Sequence, residues 1–457
     1  MARTLFVSAA LAALALGSGE AWASAPGTYG FFSRSSALGG AVAADAPDPS
    51  ACFYNPAALV SAPGLGLSVG YTYTDNRLRT NGKDNDVVDV HGLTAGIVAP
   101  GKIGRLPFAF GIATYLPDDG LSRIRALRQE PPRWELYSDR PTILFLTAQV
   151  AIRPLPWLEI GGGLAFLAAT RGRFGIRGEA IVLSPYDSKL EHEVDADLTS
   201  IRYPIAGVRF KLGSLGYLGF TYRGQTKLNL SLQANLVGNV NFAGVEVPLT
   251  YALATHTIDA FQPQQVVAGF SFQAVKHLHA NFDLGWVDWS AYESPTAQTT
   301  AHLDAKLPPG FNINLPEDPK SVDVVPPAFR DQFVPRLGVE YMLGFGAERK
   351  VSGRDEPAKA VEVPLRVGYS YEASPVPPQI GRTNFVDSDR HTFSFGTGVV
   401  LNAPFAVLKG SLRVDAHAAI SVLPERITYK ANPADFVGDY RADGTMITGG
   451  ATMTASF

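Results

Sequence analysis

Apolar residues recur at every second position over most of this 457-residue chain, and that recurrence limits what it can fold into. In residues 361–372, Val363, Leu365, Val367, Tyr369 and Tyr371 share one face, and Glu362, Arg366, Ser370 and Glu372 share the other. In residues 408–422, Leu408, Leu412, Val414, Ala416, Ala418, Ile420 and Val422 oppose Lys409, Ser411, Arg413, Asp415 and His417. In residues 278–287, Leu278, Ala280, Phe282, Leu284 and Trp286 alternate with His279, Asn281, Asp283 and Gly285. Successive side chains of a strand point to opposite faces, so each segment is apolar on one side only. A soluble sandwich alternates as well. Sustained over a whole chain that lacks any later run of about 18 apolar residues, the pattern points to a transmembrane antiparallel β-barrel with lipid outside and a polar lumen.

Alternating segments fall near 64–76, 87–99, 105–116, 138–152, 156–170, 195–212, 216–230, 259–275, 277–292, 330–345, 361–373, 388–402, 407–423 and 444–457. That is about 14 strands, an even number as bacterial barrels require. The connections Pro100 to Gly104, Pro154-Leu155, Gly213 to Leu215, Lys276 and Ala403 to Ala406 are tight. Those at 117–137, 171–194, 231–258, 293–329, 374–387 and 424–443 are long. Short periplasmic turns and long outer loops follow this rule, which puts both ends of the barrel on the periplasmic side. The charged connection 346–360 is longer than a periplasmic turn should be.

Charged residues make up 18% of the chain and the net charge is −3. The absence of a basic excess argues against a nucleic-acid partner. Residues 1–23 read as an export signal, with Arg3 at its start, an apolar stretch from Leu5 to Gly17 and a small-x-small site at Ala21-Trp22-Ala23. Ala23-Ser24-Ala25 is a second cleavage site, and no cysteine follows closely enough for a lipid anchor. Cys52 is the sole cysteine, which precludes an intrachain disulfide and suits a small packed side chain. Phe457 closes the last alternating strand, with Ala455 and Met453 on its face.

Between signal and barrel, Gly39-Gly40-Ala41-Val42-Ala43-Ala44-Asp45 is a run of small residues that lets backbone pack closely. It leads to Phe53-Tyr54-Asn55-Pro56-Ala57, where Pro56 fixes its own φ and pushes Asn55 towards extended backbone. Leu38-Gly39-Gly40-Ala41, Ala44-Asp45 and Phe53-Tyr54-Asn55-Pro56-Ala57-Ala58-Leu59 together resemble the N-terminal hatch of the FadL/TodX family. These are outer-membrane transporters of long-chain fatty acids and other hydrophobic compounds. Ala58 departs from the glycine usual there. Trp286-Val287-Asp288-Trp289-Ser290, Pro335 to Tyr341, Pro364 to Tyr369, Ser374-Pro375-Val376-Pro377 and Asp387 to His391 are similar to that family's later segments, in order. The resemblance implies a signal at 1–23, a hatch at 24–62 inside the lumen and a barrel at 63–457. It further implies a hydrophobic ligand such as a fatty acid, contact with outer-membrane lipid, insertion by the barrel-assembly machinery, a monomer and no cofactor. Aromatic hydrocarbon uptake on the same fold is the alternative substrate class.

A barrel of this size is wide enough to need a plug, and Gly39, Gly40, Asp45, Phe53, Asn55, Pro56 and Ala57 are its expected moving parts. A long acyl chain gains about 0.8 kcal/mol per buried methylene, so release calls for a plug that disrupts the pocket and a side exit into lipid. The resemblance implies both, the exit arising at a kinked strand early in the barrel. Pro107 in the third strand and Gly161, Gly162 and Gly163 in the fifth are candidates, the glycines also serving as room for the hatch. Arg336, Arg366 and Arg390 read as lumen-facing and able to receive a carboxylate, with cross-strand pairing such as Glu340 with Arg366 the competing use. Segment 231–258 is apolar, Phe242 included, and reads either as an outer capture surface or as further barrel wall. An outer-membrane lipase or esterase is the competing class. Gly66-Leu67-Ser68-Val69-Gly70 fits a nucleophile elbow, but it lies in an alternating strand rather than a strand-turn-helix. His277 and His279 share a face with no third ligand near in sequence, so metal binding is not expected.

Overall fold

The computed structural model describes residues 25–119, 130–138, 144–181, 189–242, 245–275, 277–296, 298–305, 324–354, 356–405 and 408–457, without the side chains of 169–199, of 227–247 and of several residues in 249–260, 274 and 299–305. The segment 1–23 and its cleavage sites thus lie outside the described residues. Fourteen antiparallel strands close a barrel. They are β1 (Gly66–Thr80), β2 (Val90–Ile103), β3 (Leu106–Pro117), β4 (Phe145–Leu155), β5 (Leu158–Ile181), β6 (Lys189–Lys211) and β7 (Gly216–Arg223). The ring continues with β8 (Gln265–Val275), β9 (Leu278–Val287), β10 (Gln332–Arg349), β11 (Ala358–Glu372), β12 (Arg390–Asn402), β13 (Ser411–Thr428) and β14 (Tyr440–Ser456). Each strand pairs with its chain neighbour, and β14 pairs with β1 from Gly66 facing Ser456 to Thr80 facing Ala442, which closes the ring. Among the described residues no helix is long and apolar enough to cross a membrane, so the strands alone do so.

The alternation read from the sequence is the alternation of the wall. Along β1, Leu67, Val69, Tyr71 and Tyr73 are exposed on the outer face, whereas Ser68, Thr72, Thr74 and Asn76 are buried inside. Two boundaries move outward. Residues 171–181 and 189–194, expected as loop, prolong the β5–β6 hairpin, with Arg173 facing Asp195 and Glu179 facing Lys189. Residues 231–242 and 245–258, expected either as an outer capture surface or as further wall, lie in strands Thr226–Phe242 and Val245–Gln262, which pair as a hairpin, the first running parallel to the outer part of β5. A third strand, Gln298–Ala305, adds to this extension. At the end of the barrel that holds Gly66 and Ser456, Gly353 lies against the carbonyl of Pro63.

Residues 25–62 fill the lumen as α1 (Ala25–Tyr29), α2 (Ser33–Ala37), α3 (Ala51–Tyr54) and a 3-10 turn over Pro56–Ser61. Gly30, Gly39 and Gly40 take positive φ, which breaks the chain into short pieces that a narrow lumen accepts. Asn55 is extended at φ −162°, and its side chain accepts from the Ala57 N–H, capping the turn that Pro56 opens. Phe31, Leu38, Val42, Cys52 and Leu59 form one core with Tyr115, Phe145, Leu167, Tyr203 and Ile205 of the wall.

Candidate functional site

Glycine decides where residues 25–62 sit. Three cross-strand glycine pairs face the lumen: Gly161 with Gly207, Gly219 with Gly269 and Gly338 with Gly368. A β-carbon on Gly161 would lie 2.6 Å from the Ala57 nitrogen, and one on Gly207 would overlap Asn55 Oδ1. One on Gly269 would lie 2.8 Å from Ala43 Cβ, and one on Gly219 would meet the Ala43 carbonyl. One on Gly338 would lie 2.7 Å from the Leu38 carbonyl, and one on Gly368 would meet Gly39. The wall therefore holds three shallow seats, each shaped to one piece of the N-terminal segment. Their signal in the sequence is phase: each of these glycines falls on the inward beat of its strand, and only Gly161 was singled out.

Side chains of the wall then bond the backbone laid in those seats. Asn55 Nδ2 donates to the carbonyls of Ala43 at 2.6 Å and Val208 at 3.4 Å. Ala43 donates its N–H to Asp283 Oδ2 at 2.9 Å. Arg209 donates to the Ala44 carbonyl, Thr221 to that of Tyr54 and Arg223 to that of Phe53. Two charge lattices tie down the ends. Glu159 accepts from Arg209, Arg153 and Ser61. Arg34 pairs with Asp45 at 2.7 Å and Glu340 at 3.1 Å, while Arg413 pairs with Asp48 at 3.0 Å. Burial works against the charge of Asp48, but Arg413 and Arg34 hold its carboxyl below the usual range. Burial pushes the Cys52 thiol up and the Tyr54 phenol up to about 12, so both stay protonated.

Above these seats the lumen opens into a cavity. Phe53, Leu136, Val267, Val287, Trp289 and Val334 supply apolar wall, and Arg223, Asp283, Arg336, Glu372, Asp387 and Arg390 supply charge. The three expected arginines fare differently. Arg366 is filled by protein carboxylates: it pairs with Glu340 and, at 2.8 Å, with Asp415, its side chain 1% exposed. The expected cross-strand use therefore prevails over a ligand contact, because a buried guanidinium is held only where its donors are satisfied. Arg390 pairs with Glu372 and reaches the Thr28 carbonyl and the Tyr137 ring, at the cavity edge. Arg336 lines the cavity beneath Gly40 and makes no hydrogen bond or salt bridge among the described residues. The side chain of Phe242 lies outside the described residues.

The expected exit residues sit elsewhere than at an opening. Pro107 lies beside the turn, facing Lys102, and the pairs from Phe108 with Ile152 to Tyr115 with Phe145 run unbroken. Gly161, Gly162 and Gly163 pair without interruption on both sides, and Gly161 makes room for Pro56 and Ala57. Ser68 is in β1, hydrogen-bonded to Thr454 at 2.9 Å. Among the described residues no group of three His, Cys, Asp or Glu could hold a metal.

Wall and lumen define a 14-stranded outer-membrane β-barrel filled by its own N-terminal segment. No protein-family model matches the chain. It is 22% identical to Alkane uptake protein A of Marinobacter nauticus over 427 residues, 87% of this chain and 82% of that one. A Pseudomonas aeruginosa FadL homologue superposes at TM-score 0.54 and 15% identity, covering 93% of this chain and 97% of the other. The CymD monoaromatic hydrocarbon channel superposes at 0.53 and 16% identity, covering 94% and 98%. The chain thus has the closed β-barrel fold of that FadL homologue and of CymD.

Proposed function

We propose that the chain is a passive uptake channel for hydrophobic molecules, that residues 24–62 are its movable plug, and that a carboxylate-bearing molecule such as a long-chain fatty acid is its ligand. The names of its similar proteins support the hydrophobic class, since they are an alkane uptake protein, a FadL homologue and a monoaromatic hydrocarbon channel. The observation that carries the carboxylate is Arg336. A guanidinium that faces this cavity and makes no hydrogen bond or salt bridge among the described residues is suited to receive a carboxylate in a bidentate grip. Gly40 of the plug lies over its stem and the Tyr54 phenol lies within reach of its charge, so occupancy of the arginine and position of the plug are coupled.

Uptake of radiolabelled palmitate and of radiolabelled hexadecane by cells carrying the wild type and Arg336→Gln tests this. Loss of the charge-assisted bond, worth about 1.5–3 kcal/mol, lowers palmitate uptake and leaves hexadecane unchanged. An equal effect on both, or none on either, removes the carboxylate from the reading. Aromatic and aliphatic hydrocarbons are the second reading, favoured by Phe53, Tyr137 and Trp289 along the same cavity.

A further inference from the structure

Asp283 and Arg336 face each other across β9 and β10, on the inner face of the wall. Opposite charges so placed ordinarily pair, yet these two turn away from each other. Asp283 is 1% exposed. Its Oδ2 accepts from the Ala43 N–H of the plug at 2.9 Å, and its Oδ1 lies against Gly269 without a hydrogen bond. Arg336 leans towards the outer end of the barrel, where Gly285 leaves it room: a β-carbon on Gly285 would lie 3.4 Å from Nη1. Backbone of the plug thus holds the wall carboxylate, and the cation opposite it stays open to the cavity.

Withdrawal of the plug takes the Ala43 N–H from Asp283. A buried carboxylate without its donor is costly. Directly opposed residues have β-carbons about 4.5–5.5 Å apart, so side-chain torsions alone bring Arg336 onto Asp283. Arg223 is a poorer partner. It stands on β7, two strands from β9, and already gives Nε and Nη2 to Gln265.

We infer that Asp283 is an internal competitor of the ligand. The seated plug keeps its carboxylate off Arg336, and an unseated plug releases it to displace the ligand carboxylate there. The guanidinium stays paired throughout the exchange, so an acid leaves its site without stranding a buried charge. By reciprocity, a carboxylate on Arg336 favours the seated plug by the factor by which unseating weakens that carboxylate. A hydrocarbon, having no carboxylate, is outside this exchange. The exchange deepens the carboxylate reading of Arg336 above and rests on it.

The test uses the full chain and its own sole cysteine. Cys52 sits on the plug and is fully buried, so maleimide labelling of the purified barrel reports displacement. Palmitate and hexadecane affinities are measured by equilibrium dialysis in four proteins. These are wild type, Asp283→Asn, a plug-displaced variant (Gly207→Val or Asn55→Ala, whichever labels at Cys52) and its double with Asp283→Asn. Asparagine keeps an oxygen for the Ala43 N–H and loses the competing charge. Displacement is expected to weaken palmitate at least about tenfold, the equivalent of one charge-assisted hydrogen bond. Asp283→Asn recovers most of that loss, tightens palmitate by a smaller factor when the plug is seated, and gives hexadecane no such recovery. An equal factor in the seated and displaced proteins is static repulsion between two carboxylates and overturns the inference. Absence of recovery, or equal recovery for hexadecane, overturns it too. So does a Cys52 that stays unlabelled in both plug variants, since the exchange needs a plug that leaves. If Arg336→Gln binds palmitate as the wild type does, the carboxylate reading itself falls and takes the competitor with it.

Discussion

Gly161 and Gly207 face each other across β5 and β6, and the space that two side chains would occupy there holds Asn55 and Pro56 instead. The seat and the motif are complementary surfaces of one joint. A side chain placed on either glycine acts on the plug without removing a ladder bond of the wall.

Gly207→Val is therefore expected to insert as a heat-modifiable barrel while its N-terminal segment is displaced. Asn55→Ala, which removes the bonds to Ala43, Val208 and Ala57, is expected to act in the same direction. Losing a buried hydrogen bond costs about 1–3 kcal/mol, which shifts a closed-to-open ratio about 5- to 150-fold. Single-channel recording in planar bilayers reads this as added conductance, and conductance equal to wild type in both variants counts against the joint.

Deleting residues 24–60 removes the segment from all three glycine seats. The deletion is expected to admit small polar solutes, seen as faster swelling of proteoliposomes in a sugar solution. Swelling no faster than that of the intact protein means that these residues do not plug the barrel.

Arg366 separates a structural role from a ligand role. Arg366→Met leaves Glu340 and Asp415 buried without this partner, and breaking a buried pair from one side costs about 3–5 kcal/mol. The variant is expected to unfold at lower urea concentration, followed by tryptophan fluorescence. Unchanged stability together with weakened palmitate binding assigns the residue to the ligand instead.

The outer loop after β11 carries a pH dependence. Burial pushes the Asp387 carboxyl up to about 6, against the pull of the Ser374 hydroxyl and of Arg426. A carboxyl whose value in the folded loop exceeds its ordinary 3.8 stabilises the loop fully below 3.8, and that contribution is lost as pH rises through about 6. Protease nicking of residues 374–389 is expected to increase between about pH 4 and pH 7, and Asp387→Asn is expected to flatten the profile. A steeper profile in the variant contradicts the assignment.

Ser68→Ala tests the hydrolase alternative. Ser68 shares a hydrogen bond with Thr454 inside the wall, so its loss costs about 1 kcal/mol of stability and is expected to leave uptake unchanged. Abolished uptake in an assembled barrel contradicts the channel reading.

The sequence alone determined the barrel and its 14 strands, because lipid outside and polar lumen inside impose a period of two on every crossing strand. The Asn55-Pro56 turn was equally legible, since proline and asparagine act on their own backbone. Outer strand ends were not, because whether 171–181 and 189–194 continue the ladder depends on their pairing with each other rather than on their own residues. What Arg366 does was open in the sequence and decided by Asp415, 49 positions away. The glycine seats required knowing which inward beats of six strands meet residues 38–57, and that is a matter of register.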